Sequence, residues 1–222
     1  MLAPACILCG GSGGIDGLCG GCRSSLPWFK GPHCPVCAIA NPKGEICGRC
    51  VHKPPFFDRV VAAFQYEYPA TVLIQRLKYH GNLACARPLA AGLADALIKE
   101  PYPDLILPMP LARARLADRG FNQAMEISRR VGLEFGLDIS LDVCYRTREG
   151  APQAVLPWKQ RATNIRNAFV CDFDVDGKSV AVVDDVLTTG ATLNELALTL
   201  KRRGAREVIG WIVARTPAPG ET

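Results

Sequence analysis

Residues 179–193, SVAVVDDVLTTGATL, predict a strand, a tight turn and the start of a helix in immediate succession. Three valines supply the β-branched side chains of a buried strand, which runs directly into two carboxylates, Asp184 and Asp185. The next residues carry hydroxyl groups and a glycine before a helical pattern begins. In parallel sheets, ligands bind at the carboxyl ends of strands. This segment therefore predicts both a β–α unit and the location of a site.

The polar residues of this segment suit a sugar phosphate. Backbone N–H groups and threonine hydroxyls at a helix N-terminus favour phosphate. Carboxylates can accept hydrogen bonds from vicinal ribose hydroxyls or bind a divalent cation, and a phosphoribosyl donor requires both features in one site. We therefore predict that Asp184 and Asp185 are catalytic and that the turn binds phosphate through Thr188, Thr189, Gly190, Ala191 and Thr192. The alternative, helix capping by Asp185 and Thr188, needs only one such residue.

Cysteines dominate the first 50 residues. Two copies of C-x2-C-x9-C-x2-C occur there, and the second begins 28 residues after the first. Each C-x2-C pair can place two thiolates on one turn, and two pairs complete a tetrahedral site. The surrounding sequence is rich in turns and poor in large apolar residues, so a metal would supply the missing stability. We predict two structural Zn²⁺ sites, whose ligands are Cys6, Cys9, Cys19, Cys22, Cys34, Cys37, Cys47 and Cys50.

Other interpretations of the cysteines are open at this stage. Thiolates also bind iron–sulfur clusters, and the pairs could combine in an interleaved rather than a sequential order. A disulfide framework is disfavoured because nothing in the sequence indicates export. Redox chemistry is disfavoured because four motifs occur in a repeat without a thioredoxin-like context. The remaining cysteines, Cys85, Cys144 and Cys171, are predicted to be small buried hydrophobic residues.

The length of 222 residues fits one domain of ordinary size and a small accessory unit. Hydrophobic residues make up 49% of the chain, which suffices for a core. The sequence contains no run of about 18 apolar residues, so no membrane span is predicted. No secretory signal is evident either, and we therefore expect a cytoplasmic protein. The net charge of +5 is modest, but Arg113, Arg115 and Arg119 crowd one predicted loop, and residues 201–206 form a second basic group.

After a linker at residues 53–55, the composition becomes that of an α/β domain, which predicts domains 1–55 and 56–222. Strand and helix patterns then alternate, as is typical of a mainly parallel sheet flanked by helices. The predicted strands are 59–66, 104–107, 138–146, 179–184 and 207–214, and the predicted helices are 71–78, 88–99, 122–135 and 191–203. The long segment 146–169 is predicted to be a lid over the site.

Several blocks together resemble the ComF family of competence-associated, phosphoribosyltransferase-like proteins. The blocks are the cysteine arrays around Leu26-Pro27-Trp28, residues 74–79, 108–111, Arg113 and 119–123, then Gln153, Arg161, Asn164 and Phe169, and finally residues 184–192. They span nearly the whole chain. The resemblance implies a type I phosphoribosyltransferase-like α/β fold behind a double zinc ribbon, in a family linked to the uptake and use of exogenous DNA.

The resemblance also implies a ligand, 5-phosphoribosyl 1-diphosphate (PRPP) or a nucleotide. Asp184 and Asp185 would hold its ribose. The pyrophosphate would be neutralised by Mg²⁺ and by the arginines that follow the strand 104–107, namely Arg113, Arg115 and Arg119.

Two function hypotheses follow. The first is a phosphoribosyltransferase assisted by Mg²⁺. The second is a non-catalytic adaptor that handles single-stranded DNA together with the competence machinery, with Trp28, Phe29 and Lys30 as candidate contacts to bases and phosphates. The other interpretation of these three residues is hydrophobic anchoring of the ribbons to the core. The sequence names neither the acceptor base nor the oligomeric state, and an oligomer is compatible with it.

Overall fold

A four-stranded parallel sheet forms the centre of the protein. The computed structural model describes residues 5–140, 144–146 and 167–217. The strands, in the order in which they lie in the sheet, are β1 (Arg59–Gln65), β6 (Glu207–Arg215), β5 (Ser179–Leu187) and β2 (Leu105–Pro108). A separate antiparallel pair consists of β3 (Cys144–Arg146) and β4 (Phe169–Cys171).

Helices cover both faces of this sheet. The described helices are α1 (Gly20–Ser24), α2 (Gly48–His52), α3 (Ala70–His80), α4 (Ala86–Leu97), α5 (Arg113–Arg119), α6 (Gln123–Phe135) and α7 (Ala191–Arg202). None of the helices within the described ranges is long and apolar enough to cross a membrane. The predicted fold class, a mainly parallel sheet flanked by helices, is confirmed.

Successive side chains of β5 point to opposite faces of the sheet, and both faces are buried. Val180 and Val182 pack in a core that contains α7, whereas Ala181 and Val183 pack in a core that contains α3, α4 and α6. All four side chains are fully buried. A run of small and β-branched apolar residues is what a parallel strand covered on two faces requires.

The two cysteine-rich repeats pack on opposite faces of the sheet. Cys6 and Leu18 of the first repeat belong to the core with α3 and α4, whereas Cys34 of the second belongs to the core with α7. Trp28, between the repeats, packs on Phe64 with ring centroids 4.9 Å apart. The anchoring interpretation of Trp28 is therefore the one that the structure supports.

Two of the predicted segments differ in the structure. The strand predicted at 138–146 is wrong as a continuous element, because its described residues form a strand only at Cys144–Arg146. Among the described residues of this segment, Ile139 makes a single bridge to Ile106 of β2. The predicted arginine-rich loop is the helix α5, which ends at Gly120 in a left-handed conformation (φ 79°).

The three cysteines outside the repeats differ in whether they form a bond. Cys85 is buried and unbonded, as predicted. Cys144 and Cys171 are buried too, but they lie opposite each other in β3 and β4 and form a disulfide. The prediction that these two are simple hydrophobic residues is therefore wrong. Their separation of 27 residues gave no local signal of the pairing.

Candidate functional site

The eight N-terminal cysteines form two clusters, each made by one repeat. Within each cluster the sulfur atoms all lie within 4.8 Å of one another, so the pairs combine sequentially and not in an interleaved order. The Cys9–Cys19 and Cys37–Cys47 Sγ distances are both 3.7 Å. Four sulfurs arranged tetrahedrally at about 2.3 Å from Zn²⁺ would lie about 3.8 Å apart. The geometry is consistent with two structural zinc ions.

The thiols of each cluster differ in acidity. Burial raises the pKa of Cys6 and of Cys34, but hydrogen bonds from backbone N–H groups outweigh burial and lower these pKa values to about 6 and about 7. Hydrogen bonding among the thiols raises the pKa of Cys22 to about 12, and burial raises that of Cys50. Each cluster thus holds thiols that resist deprotonation without a cation, and Zn²⁺ would supply that charge.

A second site lies where β5 extends beyond its neighbour. β5 has nine residues and β2 only four, and the pairing of β2 with β5 ends at Pro108 opposite Val183. The last residues of β5 therefore form one wall of a cleft of about 110 Å³. Its lining residues come from six parts of the chain, which are α3 (Lys78), the loop 109–111, α5 (Arg115 and Arg119), α6 (Gln123), β3 (Arg146) and residues 184–193.

The two carboxylates of the cleft have different partners. Asp185 is buried, with its side chain only 4% exposed, and it accepts a hydrogen bond from Lys78 Nζ at 2.9 Å and one from Gln123 Nε2 at 3.5 Å. Asp184 is partly exposed, and its Oδ1 accepts from the backbone N–H of Asp185 at 2.9 Å. Asp184 is therefore the carboxylate that a ligand can reach without displacing Lys78.

The pKa values of Asp184 and Asp185 shift in opposite directions, because the two carboxylates have different partners. Burial and the neighbouring charge of Asp185 raise the pKa of Asp184 well above its usual range. Burial also raises the pKa of Asp185, but the Lys78 ammonium and its hydrogen bond outweigh burial and lower the pKa overall. Near neutral pH the Lys78–Asp185 pair is fully charged, and Asp184 is the carboxylate whose charge the site disfavours.

The turn after β5 brings the predicted phosphate-binding residues together. Thr188, Thr189, Gly190, Ala191 and Thr192 all line the cleft at the N-terminus of α7. Gly190 adopts a left-handed conformation (φ 80°), which lets the chain turn sharply into the helix. Thr189 Oγ1 accepts from the Ala191 N–H at 3.1 Å. The N-cap of α7 is Gly190, which has no side chain, so neither Asp185 nor Thr188 caps this helix.

Cationic side chains face the carboxylates across the cleft. Arg115 and Arg119 of α5 and Arg146 of β3 line it. Burial and the like charge of Arg115 lower the pKa of Arg146, so these two guanidinium groups lie near each other. Like charges held together in a cleft form a site that an anion would stabilise. With Lys78 included, four cations and two carboxylates give the cleft a net positive charge.

The structure and the sequence differ over which residues form this site. Of the predicted arginines, Arg115 and Arg119 line the cleft, whereas Arg113 is not among its lining residues. Lys78, Gln123 and Arg146 line it without having been assigned a role. Residues 74–79 and 119–123 were noted only as resemblance blocks, which was the available signal for the first two. Most of the predicted lid, residues 147–166, lies outside the described part of the chain.

Two domain families match parts of this chain. The double zinc ribbon domain family matches residues 1–51, and the phosphoribosyl transferase domain family matches residues 116–221. Competence protein F of Haemophilus influenzae is 33% identical over 95% of this chain and 96% of its own length. The DNA utilization protein YhgH of Salmonella typhi is 34% identical over 91% of this chain and 98% of its own.

Among solved structures, glutamine PRPP amidotransferase from B. subtilis is 18% identical, with a TM-score of 0.43 over 63% of this chain and 30% of that one. The two curated relatives match along almost their whole length at about one third identity. With a double zinc ribbon before a phosphoribosyl transferase-type domain, the chain belongs to the ComF family of competence protein F and its relatives.

Proposed function

We propose that the cleft binds PRPP or a nucleotide and that the protein transfers the phosphoribosyl group with the help of Mg²⁺. One observation carries the proposal. An acidic strand end, a threonine–glycine turn at a helix N-terminus and neighbouring arginines converge on one cleft. A sugar with a phosphate at one end and a pyrophosphate at the other matches this distribution of charge.

In the proposed complex, the 5′-phosphate lies against the turn at the N-terminus of α7. The ribose hydroxyls donate to Asp184, since Asp185 already accepts hydrogen bonds from Lys78 and Gln123. The pyrophosphate faces the guanidinium groups of Arg115, Arg119 and Arg146. The only carboxylates among the described lining residues are Asp184 and Asp185, so most oxygen ligands of a Mg²⁺ ion would come from the pyrophosphate.

The proposed reaction is a displacement at C1 of the ribose. The C1–O bond breaks and its electron pair leaves with pyrophosphate, while a nitrogen of the acceptor forms the new C1–N bond and releases its proton to solvent. Positive charge develops on the sugar in the transition state, and in this proposal the ionised carboxylate of Asp184 stabilises that charge. Bound Mg²⁺ would offset the negative charge of the leaving group. Catalysis then rests on positioning and charge, without a covalent nucleophile.

Calorimetric titration with PRPP, with and without Mg²⁺, tests the binding step. We expect Arg115→Gln and Arg119→Gln each to weaken binding about 10- to 150-fold, because each removes a charged hydrogen-bond donor worth roughly 1.5–3 kcal/mol. Arg129→Gln is the matched control, since Arg129 is exposed on α6 and pairs only with Glu126 among its described partners. Arg113→Gln decides whether Arg113 also contributes. Unchanged affinity in the Arg115 and Arg119 variants would refute this placement of the pyrophosphate.

Release of pyrophosphate from PRPP, measured across a panel of nitrogenous bases, tests turnover. We expect release with at least one base and its loss when Asp184→Asn and Asp185→Asn are combined. Saturable PRPP binding that this double variant abolishes, with no release for any base, would reject transfer and leave a binding protein.

We also propose that the protein takes part in the use of exogenous DNA, because its relatives are named competence protein F and DNA utilization protein. Trp28 packs on Phe64, so stacking of bases on Trp28 is not part of this proposal. The exposed cations Lys43 and Arg49 of the second repeat are the better candidates. Fluorescence anisotropy with a single-stranded oligonucleotide at several salt concentrations tests them. Lys43→Glu with Arg49→Glu should weaken binding and flatten its salt dependence, and an unchanged salt slope would exclude these contacts.

A further inference from the structure

Arg215, the last residue of β6, holds the chain that leads into the phosphate-binding turn. Its side chain is buried (2% of the residue is exposed). Nη1 donates to the carbonyl oxygens of Leu187 and Thr188 at 2.9 and 2.7 Å, and to that of Thr216 at 2.8 Å. Leu187 is the last residue of β5 and Thr188 is the first residue of the turn, and both line the cleft. One guanidinium nitrogen thus fixes the end of β5 and the start of the turn.

The other side of the same guanidinium faces the second cysteine cluster. Nε donates to the carbonyl oxygen of Cys37 at 3.0 Å. Nη2 is buried and has no hydrogen-bond partner within the described ranges. Four thiolates around Zn²⁺ would carry a net charge of −2, so a buried guanidinium that contacts Cys37 is a counterion of this cluster.

We infer that Arg215 is a positioning residue that couples the second zinc cluster to the phosphate-binding turn. Zinc at Cys34, Cys37, Cys47 and Cys50 holds the guanidinium in place, and the guanidinium holds the backbone at Leu187 and Thr188. Such coupling is reciprocal, so a ligand that orders the turn also slows the loss of this zinc ion. The ligand part of the inference rests on the proposed function, whereas the coupling of cluster to turn does not.

The first cluster offers an internal comparison. Arg76 of α3 donates through Nη1 to the carbonyl oxygen of Ile7 at 2.7 Å, so an arginine contacts each repeat. Arg76 has no described hydrogen bond to the turn and does not line the cleft. It also lies two positions from Lys78 on α3 and therefore points away from it. Coupling to the turn is thus expected for the second cluster and not for the first.

The test uses the full-length, zinc-loaded protein and compares Arg215→Lys with the matched control Arg76→Lys. Lysine keeps the charge but cannot donate to Cys37 and to Leu187 at once. In Arg215→Lys, we expect the amides of residues 188–193 to exchange hydrogen about 10-fold faster. We also expect one of two zinc ions to pass several-fold faster to a coloured chelator. Arg76→Lys should leave exchange at 188–193 unchanged. In the unmodified protein, PRPP should slow release of the same single zinc ion.

A second pair of variants keeps the test informative if Arg215→Lys folds poorly. Cys47→Ser weakens the second cluster with Arg215 intact, and Cys19→Ser is the equivalent change 28 residues earlier in the first. Faster exchange at residues 188–193 in Cys47→Ser alone supports the inference, whereas equal exchange in both variants overturns it. If the coupling is observed but PRPP neither binds nor slows zinc release, the proposed function fails and the coupling stands.

Discussion

Adjacent carboxylates of the cleft should affect stability in opposite directions. We predict that Asp185→Asn destabilises the protein and that Asp184→Asn stabilises it. Asp185→Asn leaves the Lys78 ammonium, whose side chain is only 25% exposed, without its counterion. Asp184→Asn removes a charge that burial and Asp185 both disfavour. The two variants differ by one position on one strand, so each is the control for the other.

The size of the first effect follows from the Lys78–Asp185 contact. At 2.9 Å and an effective dielectric constant of about 20, the attraction is about 6 kcal/mol before desolvation. Breaking a buried pair from one side costs about 3–5 kcal/mol, and the partial exposure of Lys78 places the loss near 3 kcal/mol. For a chain of this length that lowers Tm by about 6–12 °C. Asp184→Asn should raise Tm by about 2–4 °C, a gain of about 1 kcal/mol.

The pH dependence of stability distinguishes the effect of charge from the effect of packing in these two variants. The folded-state pKa of Asp185 is lowered, so its contribution is present above its ordinary pKa near 3.8 and is lost only as pH falls through the lowered value. The deficit of Asp185→Asn should therefore be constant between about pH 6 and 9. The folded-state pKa of Asp184 is raised, so this carboxylate costs stability as pH rises towards and through that value. The advantage of Asp184→Asn should grow with pH until Asp184 is fully ionised.

Differential scanning calorimetry of the zinc-loaded variants, each referenced to the unmodified protein at the same pH, measures both effects. Combining Lys78→Met with Asp185→Asn should cost less than the sum of the single changes, because no unpaired charge remains. Shifts of Tm with the same sign and size in Asp184→Asn and Asp185→Asn would refute the assignment of the two carboxylates to different roles.

Three further predictions concern the metal clusters, the disulfide and the turn. Elemental analysis should find two zinc ions per chain and one after either Cys9→Ser or Cys37→Ser, and iron with acid-labile sulfide would contradict this. Replacing Cys144 and Cys171 by Ser should lower the stability by about 3.5 kcal/mol, because the unfolded chain loses a cross-link over a separation of 27 residues. A phosphine reductant should lower Tm of the unmodified protein but not that of this double variant. Gly190→Ala should lower the stability by about 1 kcal/mol and weaken PRPP binding, because φ is 80° at this position. The cost comes from backbone strain and not from a clash, since the nearest atom to the added methyl lies 3.6 Å away. Gly190→Asn, which tolerates this conformation better, should lose less on both measures.

Elements defined by local chemistry could be predicted from the sequence. The valines before Asp184 specify β5, and Gly190 marks the turn into α7. The structure extends this strand to Leu187, because its partner β6 continues alongside to Arg215. Spacing likewise predicted two cysteine sites but left their pairing open, and the structure shows that pairs with nine residues between them meet on successive turns.

Elements defined by distant contacts could not be predicted in this way. Helix α5 has no buried residue and therefore no apolar periodicity, and its only local signal is Gly120 at its end. Lys78, Gln123 and Arg146 reach the cleft from three separate elements that only the packed sheet brings together. Arg215 carries no motif at all. Its role is visible only once β6 lies beside β5 and the second repeat covers its end.

The order of strands also determines when each part of the protein can fold during synthesis. β1 lies at one edge of the sheet, and the strand of the sheet that it pairs with is β6, whose residues follow some 150 positions later. β6 fills the gap between β1 and β5, so until it emerges from the ribosome the edge of β1 that β6 covers has no partner. The cysteine clusters need only residues already made. Metal capture therefore precedes closure of the sheet, and the last strand to be synthesised joins the two halves.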